Sequence, residues 1–206
     1  MYIPSSVTSI ESSAFQNCSS LQNINIPSSV TSIGDSAFQN CYSLQSITIP
    51  SGVTSIKAGT FSGCSSLQSI TITDNITSIG NSAFQNCSSL QSIVIPDNVT
   101  SIGGSVFSNC SLVRYIKINT SAEIKSYALN FGRYSNPKRS GIIYDFSTVT
   151  AVPVLSASNG LIKKEYVSAI IVPDALYDEW IAATNWVAYA SKIKKASEVE
   201  NTEVAG

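Results

Sequence analysis

Residues 26–50 read IPSSVTSIGDSAFQNCYSLQSITIP, and this stretch decides the fold because its apolar positions recur every 23 residues. The cysteine column contains Cys18, Cys41, Cys64, Cys87 and Cys110. The phenylalanine column contains Phe15, Phe38, Phe61, Phe84 and Phe107. Isoleucine, leucine and proline columns keep the same step, so the chain is built from structural repeats.

Each repeat contains one segment with the pattern of a short β-strand. In LQSITI (44–49), the apolar side chains of Leu44, Ile47 and Ile49 face one side and Thr48 faces the other. The β-branched residues favour a strand, and the PSG that follows at 50–52 is typical of a turn. We therefore predict one short strand in each 23-residue coil, with turns or short 3-10 or helical segments on the return leg.

Two columns exchange glycine with asparagine, which is typical of a left-handed backbone conformation. The first contains Ser29, Gly52, Asn75 and Asn98. The second lies just before the cysteines and contains Asn40, Gly63, Asn86 and Asn109. We expect positive φ at both columns.

A single coil cannot fold alone, because the few side chains that it buries do not offset the entropy of ordering its backbone. Stacked coils complete each other's burial and pair their strands in parallel, about 4.8 Å apart. The sequence therefore predicts a solenoid with five regular repeats over residues 1–118, the first of them incomplete at its start.

Composition argues against several function classes. The 206 residues carry a net charge of −1 and only 12% charged side chains, which is no electrostatic footprint for nucleic acid. No apolar run is long enough for direct membrane insertion. Histidine is absent, which removes Ser-His and Cys-His nucleophile pairs and histidine-containing metal sites. We therefore predict a protein that is not an enzyme and that holds neither a cofactor nor a metal.

The cysteine column leaves three interpretations open. Cys41 lies three residues after Phe38 and three before Leu44, an inward position where a free thiol packs as a small hydrophobe. A disulfide between neighbouring coils would need a twist that parallel Cβ vectors do not supply, and zinc would need converging thiolates. We favour a packed structural ladder of thiols and phenyl rings over disulfides and over a metal or catalytic role.

The repeat IPSSVTSIGDSAFQNCYSLQSITIP closely resembles the BspA-like leucine-rich repeat, also called the Treponema pallidum type, over residues 2–118. The resemblance implies a leucine-rich-repeat solenoid, which is a right-handed β/α superhelix. It also implies a secreted or cell-surface bacterial protein that adheres to host extracellular-matrix proteins or to other bacterial surface proteins. The chain shows no signal peptide, so this location rests on the resemblance alone.

Beyond residue 118 the repeat register loosens. Strand-like segments at 141–147 and 167–173 predict two longer, irregular coils over residues 119–173. The basic loop between them includes Arg133 and Tyr134, and it is either a solvated loop or a contact for an acidic partner.

The last part of the chain predicts a closing structure. Residues 174–196 fit a helical cap over the last coil, and residues 197–206 fit a flexible tail. Asp174 stands where an N-cap is expected, and Trp180 and Trp186 would cover the end of the core. The segment 170–193 also resembles the closing unit of BspA-like surface proteins from gut bacteria.

The amino end has no comparable cap. MYIP begins where a strand is already ending, so the first coil is expected to expose an apolar edge and unpaired strand groups. We expect the chain to be a segment of a longer protein, or its first coil to be covered by a partner or by self-association.

The outward side of the strands supplies the candidate binding residues. Uncharged Gln, Ser and Thr columns change at the fifth coil to Arg114, Tyr115 and Lys117, where Arg and Tyr are frequent at protein interfaces. The full candidate set is Tyr42, Gln68, Thr71, Gln91, Arg114, Tyr115, Lys117, Arg133 and Tyr134. The leading hypothesis is a non-catalytic, surface-exposed protein-binding or adhesion module. The alternative is a passive spacer or display scaffold within a larger cell-surface protein, in which the changed columns mark only the transition to irregular coils.

Overall fold

The computed structural model describes residues 2–120, 123–125, 128–129, 131, 141–154, 166–184 and 186–199. In these residues the chain winds into a parallel β-solenoid of about seven turns with a repeat of about 23 residues. The solenoid predicted from the columns is therefore confirmed.

The described residues include thirteen short strands of the solenoid. In chain order they are β1 (Ser9–Ile10), β2 (Ser32–Ile33), β3 (Ser46–Thr48), β4 (Ser55–Ile56), β5 (Ser69–Thr71), β6 (Ser78–Ile79), β7 (Ser92–Ile95), β8 (Ser101–Ile102), β9 (Tyr115–Ile118), β10 (Glu123–Ile124), β11 (Ile142–Asp145), β12 (Val167–Val172) and β13 (Ile193–Lys195). They form two rows. The main strand row consists of β3, β5, β7, β9, β11, β12 and β13, and the minor strand row consists of the other six.

The main strand row contains the strands predicted from LQSITI. β3 pairs with β5 in parallel and in register, so Ile47 lies beside Ile70 one repeat later. Leu44, Ile47 and Ile49 are buried while Thr48 is exposed, as the alternation predicts. From β7 to β13 the row continues as one five-stranded parallel sheet.

The minor strand row was not predicted. Each of its strands is a two-residue segment, Ser-Ile in all but the last, and the isoleucine is buried. Strands this short show no alternation, so the sequence revealed the isoleucine column without revealing the strand. Successive coils pair here in register, for example Ser9 with Ser32 and Ser78 with Ser101.

The return legs are chains of turns with left-handed residues at fixed places. Positive φ is found at the column before the cysteines, as predicted, including Asn40 (60°) and Gly63 (79°). A second left-handed column four residues earlier includes Ser36 (55°) and Gly59 (62°). The sequence signalled that column only by its single glycine, because its other members are serine.

The predicted left-handed column at Ser29, Gly52, Asn75 and Asn98 is wrong, since none of these residues has a positive φ. Their polar side chains bond to the preceding coil instead. The Ser29 hydroxyl donates to the carbonyl of Val7 at 2.7 Å, and the Asn98 amide donates to that of Asp74 at 2.7 Å. Ser29, Asn75 and Asn98 thus use a small polar side chain for a hydrogen bond between coils, and Gly52 has no side chain with which to form one.

Two aromatic arrangements fill the interior. From Phe15 to Phe107 the rings stack nearly parallel, with neighbouring centroids 5.2–5.7 Å apart. The stack continues to Phe131 at 5.5 Å and then tilts at Tyr144. At the far end, a cluster of Phe146, Trp180 and Trp186 closes the core. At the other end, the first-coil side chains Phe15, Cys18 and Leu21 are half-buried.

The closing segment contains helices and an additional strand. A 3-10 turn (Asp174–Leu176), helix α1 (Tyr177–Ala182) and a 3-10 helix (Val187–Lys192) precede β13, and helix α2 (Ala196–Val199) follows it. β13 pairs with β12, and Ile193 lies beside Ile170, exactly one 23-residue step earlier. The described residues of the segment 174–195 therefore form another coil of the solenoid. The remainder of the predicted tail, 200–206, lies outside the described residues.

Asp174 does not cap the first helix. The N-cap position is Pro173, and no side chain bonds there. The Asp174 carboxylate instead accepts hydrogen bonds from the backbone N–H of Ser197, at 3.1 Å, and from its hydroxyl. These bonds lower the pKa of Asp174 from its usual value and link two residues that are again 23 positions apart.

Candidate binding surface

The four buried cysteine thiols, Cys41, Cys64, Cys87 and Cys110, are packed and protonated. Each buried thiol donates to the carbonyl of a phenylalanine in the preceding coil, for example Cys64 to Phe38 at 3.2 Å and Cys110 to Phe84 at 3.0 Å. Burial raises the pKa of Cys64 and Cys110 to about 12. All five cysteines are free. Because a nucleophilic or metal-binding cysteine acts as the thiolate, these environments oppose both roles.

Metal and membrane sites receive no support from the described part of the chain. Within it, no three His, Cys, Asp or Glu side chains are grouped as metal ligands. Among the same residues, no helix has the length and apolarity needed to cross a bilayer.

The outward side of coils two to four presents uncharged side chains in straight columns. Gln68, Thr71 and Gln91, all candidate binding residues, are exposed on this side. Tyr42 is 49% exposed in the column that later contains Ser111. Tyr42 therefore stands three coils, roughly 14 Å, before the fifth coil.

The fifth coil holds its changed side chains in fixed positions. The Arg114 guanidinium donates to the backbone carbonyls of Ser111 at 3.1 Å and Val113 at 2.8 Å. The Tyr115 hydroxyl donates to the carboxylate of Asp145, which is buried on the neighbouring strand β11. Burial, followed by this hydrogen bond, raises the pKa of Tyr115, so the phenol stays protonated. All of these side chains are only half-buried except Asp145.

A recess of about 550 Å³ opens beside these residues, and it is lined by Gln91, Ser92, Leu112 and Arg114. Gln91 and Arg114 were predicted from the sequence as binding residues, whereas Leu112 was not. The sequence did contain a signal for Leu112, because every earlier position of its 23-residue column is serine (Ser20, Ser43, Ser66 and Ser89). We call Gln91, Ser92, Leu112, Arg114, Tyr115 and Lys117 the fifth-coil patch.

Strand pairing brings the members of the fifth-coil patch together. β7 and β9 are neighbours, with Ser92 beside Tyr115 and Val94 beside Lys117. Val94 is 46% exposed, so an apolar side chain lies next to the lysine. Tyr42 and Thr71 belong to earlier coils, and Gln68 lies one coil before the patch, where its carbonyl accepts the backbone N–H of Gln91 at 3.4 Å. The candidates Arg133 and Tyr134 lie outside the described residues.

Stacked short parallel strands, turn-built return legs and a leucine and isoleucine interior define a leucine-rich-repeat protein. Residues 1–114 match six copies of the BspA type leucine rich repeat region. The chain therefore belongs to the BspA-type leucine-rich-repeat family. No curated protein matches it.

Solved structures share the fold. A leucine-rich repeat protein of Treponema pallidum is 23% identical with a TM-score of 0.62, covering 87% of this chain and 80% of its own. A leucine-rich repeat protein of Bacteroides ovatus is 28% identical with a TM-score of 0.55, covering 84% of this chain and 57% of its own. A leucine rich cell surface protein of Faecalibacterium prausnitzii is 23% identical with a TM-score of 0.51, covering 95% of this chain and 78% of its own.

Family membership assigns the chain to protein-interaction or scaffold modules, which are typically non-catalytic. The described surface agrees with this class. Its columns repeat one side-chain type, whereas catalysis requires different groups that converge on one point.

Proposed function

We propose that the chain is a protein-binding, adhesive module of a bacterial cell surface and that the fifth-coil patch makes its principal contact. One observation carries the proposal. The serine and glutamine columns are replaced together by Leu112 and Arg114 at a single recess, and Lys117 adds a second cation on strand β9 of the same coil. These outward positions do not serve the core, so the replacement favours a role in recognition.

The patch is also suited to binding in its energetics. Arg114 is tethered by its own backbone and Tyr115 by Asp145, so both side chains lose little conformational freedom on association. An apolar leucine between a cation and an amide fits a partner surface that combines acidic and apolar side chains. Host extracellular-matrix proteins and surface proteins of other bacteria are the proposed partners.

Family context supports the surface location. The Faecalibacterium prausnitzii neighbour is described as a cell surface protein. The BspA-type family that residues 1–114 match is the same family whose resemblance implied a cell-surface location. Arg133 and Tyr134 of the basic loop remain proposed as a secondary contact.

Reverting the patch to the repeat pattern tests the proposal. The triple variant Leu112→Ser, Arg114→Gln, Lys117→Thr carries the residues of the earlier coils and should keep the fold. We expect it to lose at least about tenfold in affinity for a partner found by screening matrix and bacterial surface proteins. The control is Lys194→Gln, an exposed lysine on β13. Unchanged binding by the triple variant would reject the patch.

A spacer role is the second candidate, and a specific observation favours it. Exposed polar side chains of the regular coils bond to one another rather than remaining available, as Gln16 does to Gln39 and Asn40 to Asn17 at 3.0 Å. If the screen yields no partner, and deletion of one regular coil alters only the reach of the displayed protein, the spacer role is preferred.

A further inference from the structure

A groove of about 340 Å³ runs along the minor strand row, outside the fifth-coil patch. Serines of three successive strands, Ser55, Ser78 and Ser101, line it one coil apart. Because parallel strands stand about 4.8 Å apart, the three hydroxyls form a regular row along the solenoid axis.

Two lysines stand at the ends of this groove. Lys57, Gly80, Gly103 and Lys125 each follow the last residue of a strand, so they occupy one column on β4, β6, β8 and β10. Both lysines are exposed. They lie three coils apart, roughly 14 Å along the axis.

Gly80 and Gly103 lie between the two lysines in this column, and the close approach of the preceding coil excludes a larger residue at either position. A Cβ atom on Gly80 would lie 2.6 Å from the backbone nitrogen of Ala58, and one on Gly103 would lie 2.5 Å from that of Asn81. Side chains are therefore excluded at the two middle coils. The result is a slot with cations at both ends and hydroxyls along one side.

The other polar groups of the groove are one carboxylate, Asp35, whose charge opposes that of the lysines, and the amide of Asn81, and both are engaged by the backbone. Asp35 and Asn81 each use a side-chain oxygen to accept a backbone N–H of the next coil, at 2.9 and 2.8 Å. The isoleucines that border the groove are buried, with Ile56 only 3% exposed. An acidic peptide would favour an apolar anchor pocket, and duplex nucleic acid would require more than two lysines.

We propose that this groove binds an acidic polysaccharide lying along the solenoid axis. Its carboxylates would pair with Lys57 and Lys125, and its hydroxyls would exchange hydrogen bonds with the serine row. Repeating sugars suit a surface that itself repeats at each coil. This contact is separate from the protein contact at the fifth-coil patch, so one module would hold two classes of ligand.

The test compares three probes by calorimetry at low ionic strength: a hyaluronan octasaccharide, an uncharged chitin oligosaccharide of similar length, and poly-glutamate. We expect binding of hyaluronan only. The double variant Lys57→Gln, Lys125→Gln should weaken it at least about tenfold, and added salt should weaken it further. Both substitutions are at exposed positions, and thermal unfolding would verify that the fold is retained.

Two control variants distinguish the groove from the fifth-coil patch. Lys194→Gln removes the same charge far from the groove, and Leu112→Ser alters the fifth-coil patch, so both should bind hyaluronan as the parent does. Equal binding by the double variant, or no binding of hyaluronan, would overturn the proposal. Binding of poly-glutamate with the same dependence on the two lysines would also overturn it, because the ligand would then be an acidic peptide.

Discussion

The regular coils and the closing unit solve the same packing problem differently. Between Phe38 and Phe107 each ring meets a nearly parallel copy of itself, with interplanar angles of 3–9°. In the closing unit, Trp180 and Trp186 pack at 53° with centroids 4.3 Å apart, and Phe146 meets Trp186 edge-on. When rings stack as parallel copies, the last ring of the stack keeps one face uncovered. In the closing cluster the rings meet at mixed angles and cover one another's faces. The solenoid therefore extends by repetition and ends by changing orientation.

The largest expected effect comes from removing one ring of the parallel stack. Phe61 is fully buried between Phe38 and Phe84, so Phe61→Ala should lower the free energy of unfolding by about 3–5 kcal/mol. Phe15 is half-buried and stacks only on Phe38, so Phe15→Ala should cost about 1–2 kcal/mol. Urea denaturation followed by circular dichroism measures both. Equal losses would show that position in the stack does not matter.

The closing cluster offers a matched pair of indoles. The Trp186 Nε1–H donates to the Pro153 carbonyl at 2.8 Å, whereas the buried Trp180 Nε1–H has no partner among the described residues. Trp186→Phe should therefore cost about 2–3 kcal/mol, and Trp180→Phe about 1–2 kcal/mol. Fluorescence of the remaining tryptophan during denaturation reports the closing unit directly. A reversed order would mean that cavity size outweighs the hydrogen bond.

The buried thiols of the regular coils should make stability fall in alkali. Burial raises the pKa of Cys41 to about 11 and that of Cys64 to about 12, from 9.0. Above pH 9 the unfolded chain releases these protons and the folded chain keeps them, so stability decreases up to the folded pKa. The loss is at most about 1.4 kcal/mol per pH unit for each thiol.

Replacing one thiol tests this linkage. Cys64→Ala should show a shallower decline of unfolding free energy between pH 9 and pH 11 than the parent. Val53→Ala is a core control without a thiol and should keep the parent slope. Identical slopes for Cys64→Ala and the parent would contradict the assignment of the decline to buried thiols.

The smallest effect is a gain at Thr73. The other regular coils have proline in this column (Pro4, Pro27, Pro50, Pro96), and within the described part of the chain the buried Thr73 hydroxyl has no hydrogen-bond partner. Thr73→Pro should stabilise by about 0.5–1 kcal/mol through the unfolded chain. Asn119 occupies the same column, but its N–H donates to Ile95 at 2.9 Å, so Asn119→Pro should destabilise. Melting temperatures of the two variants should move in opposite directions.

The repeating interior was predictable because stacking forces each inward position to recur. The columns of Phe38, Cys41 and Ile49 could be read directly, and their burial follows from the period. The closing strand β13 was not predictable, because IKK carries one apolar residue among lysines. Its place became visible only through its pairing, since Ile193 lies one step after Ile170.

The candidate surface was only half predictable. Arg114 and Lys117 interrupt uncharged columns and so attract notice, whereas Leu112 resembles the many leucines that are buried. The groove at Lys57 and Lys125 was not predicted either, because the spacing from Gly103 to Lys125 departs from the 23-residue repeat, so the two lysines do not share a column in the sequence. Pairing of β8 with β10 is what places Lys125 in the column.

The uniform step of the regular coils has a genetic corollary. Near-identical coding units recombine unequally, and every gain or loss of one unit stays in frame and adds or removes a complete winding. Each added winding would push the fifth-coil patch about 4.8 Å further from the first coil while leaving its own neighbours untouched. The molecule could thus lengthen by whole windings over generations while the residues around the fifth-coil patch stay the same.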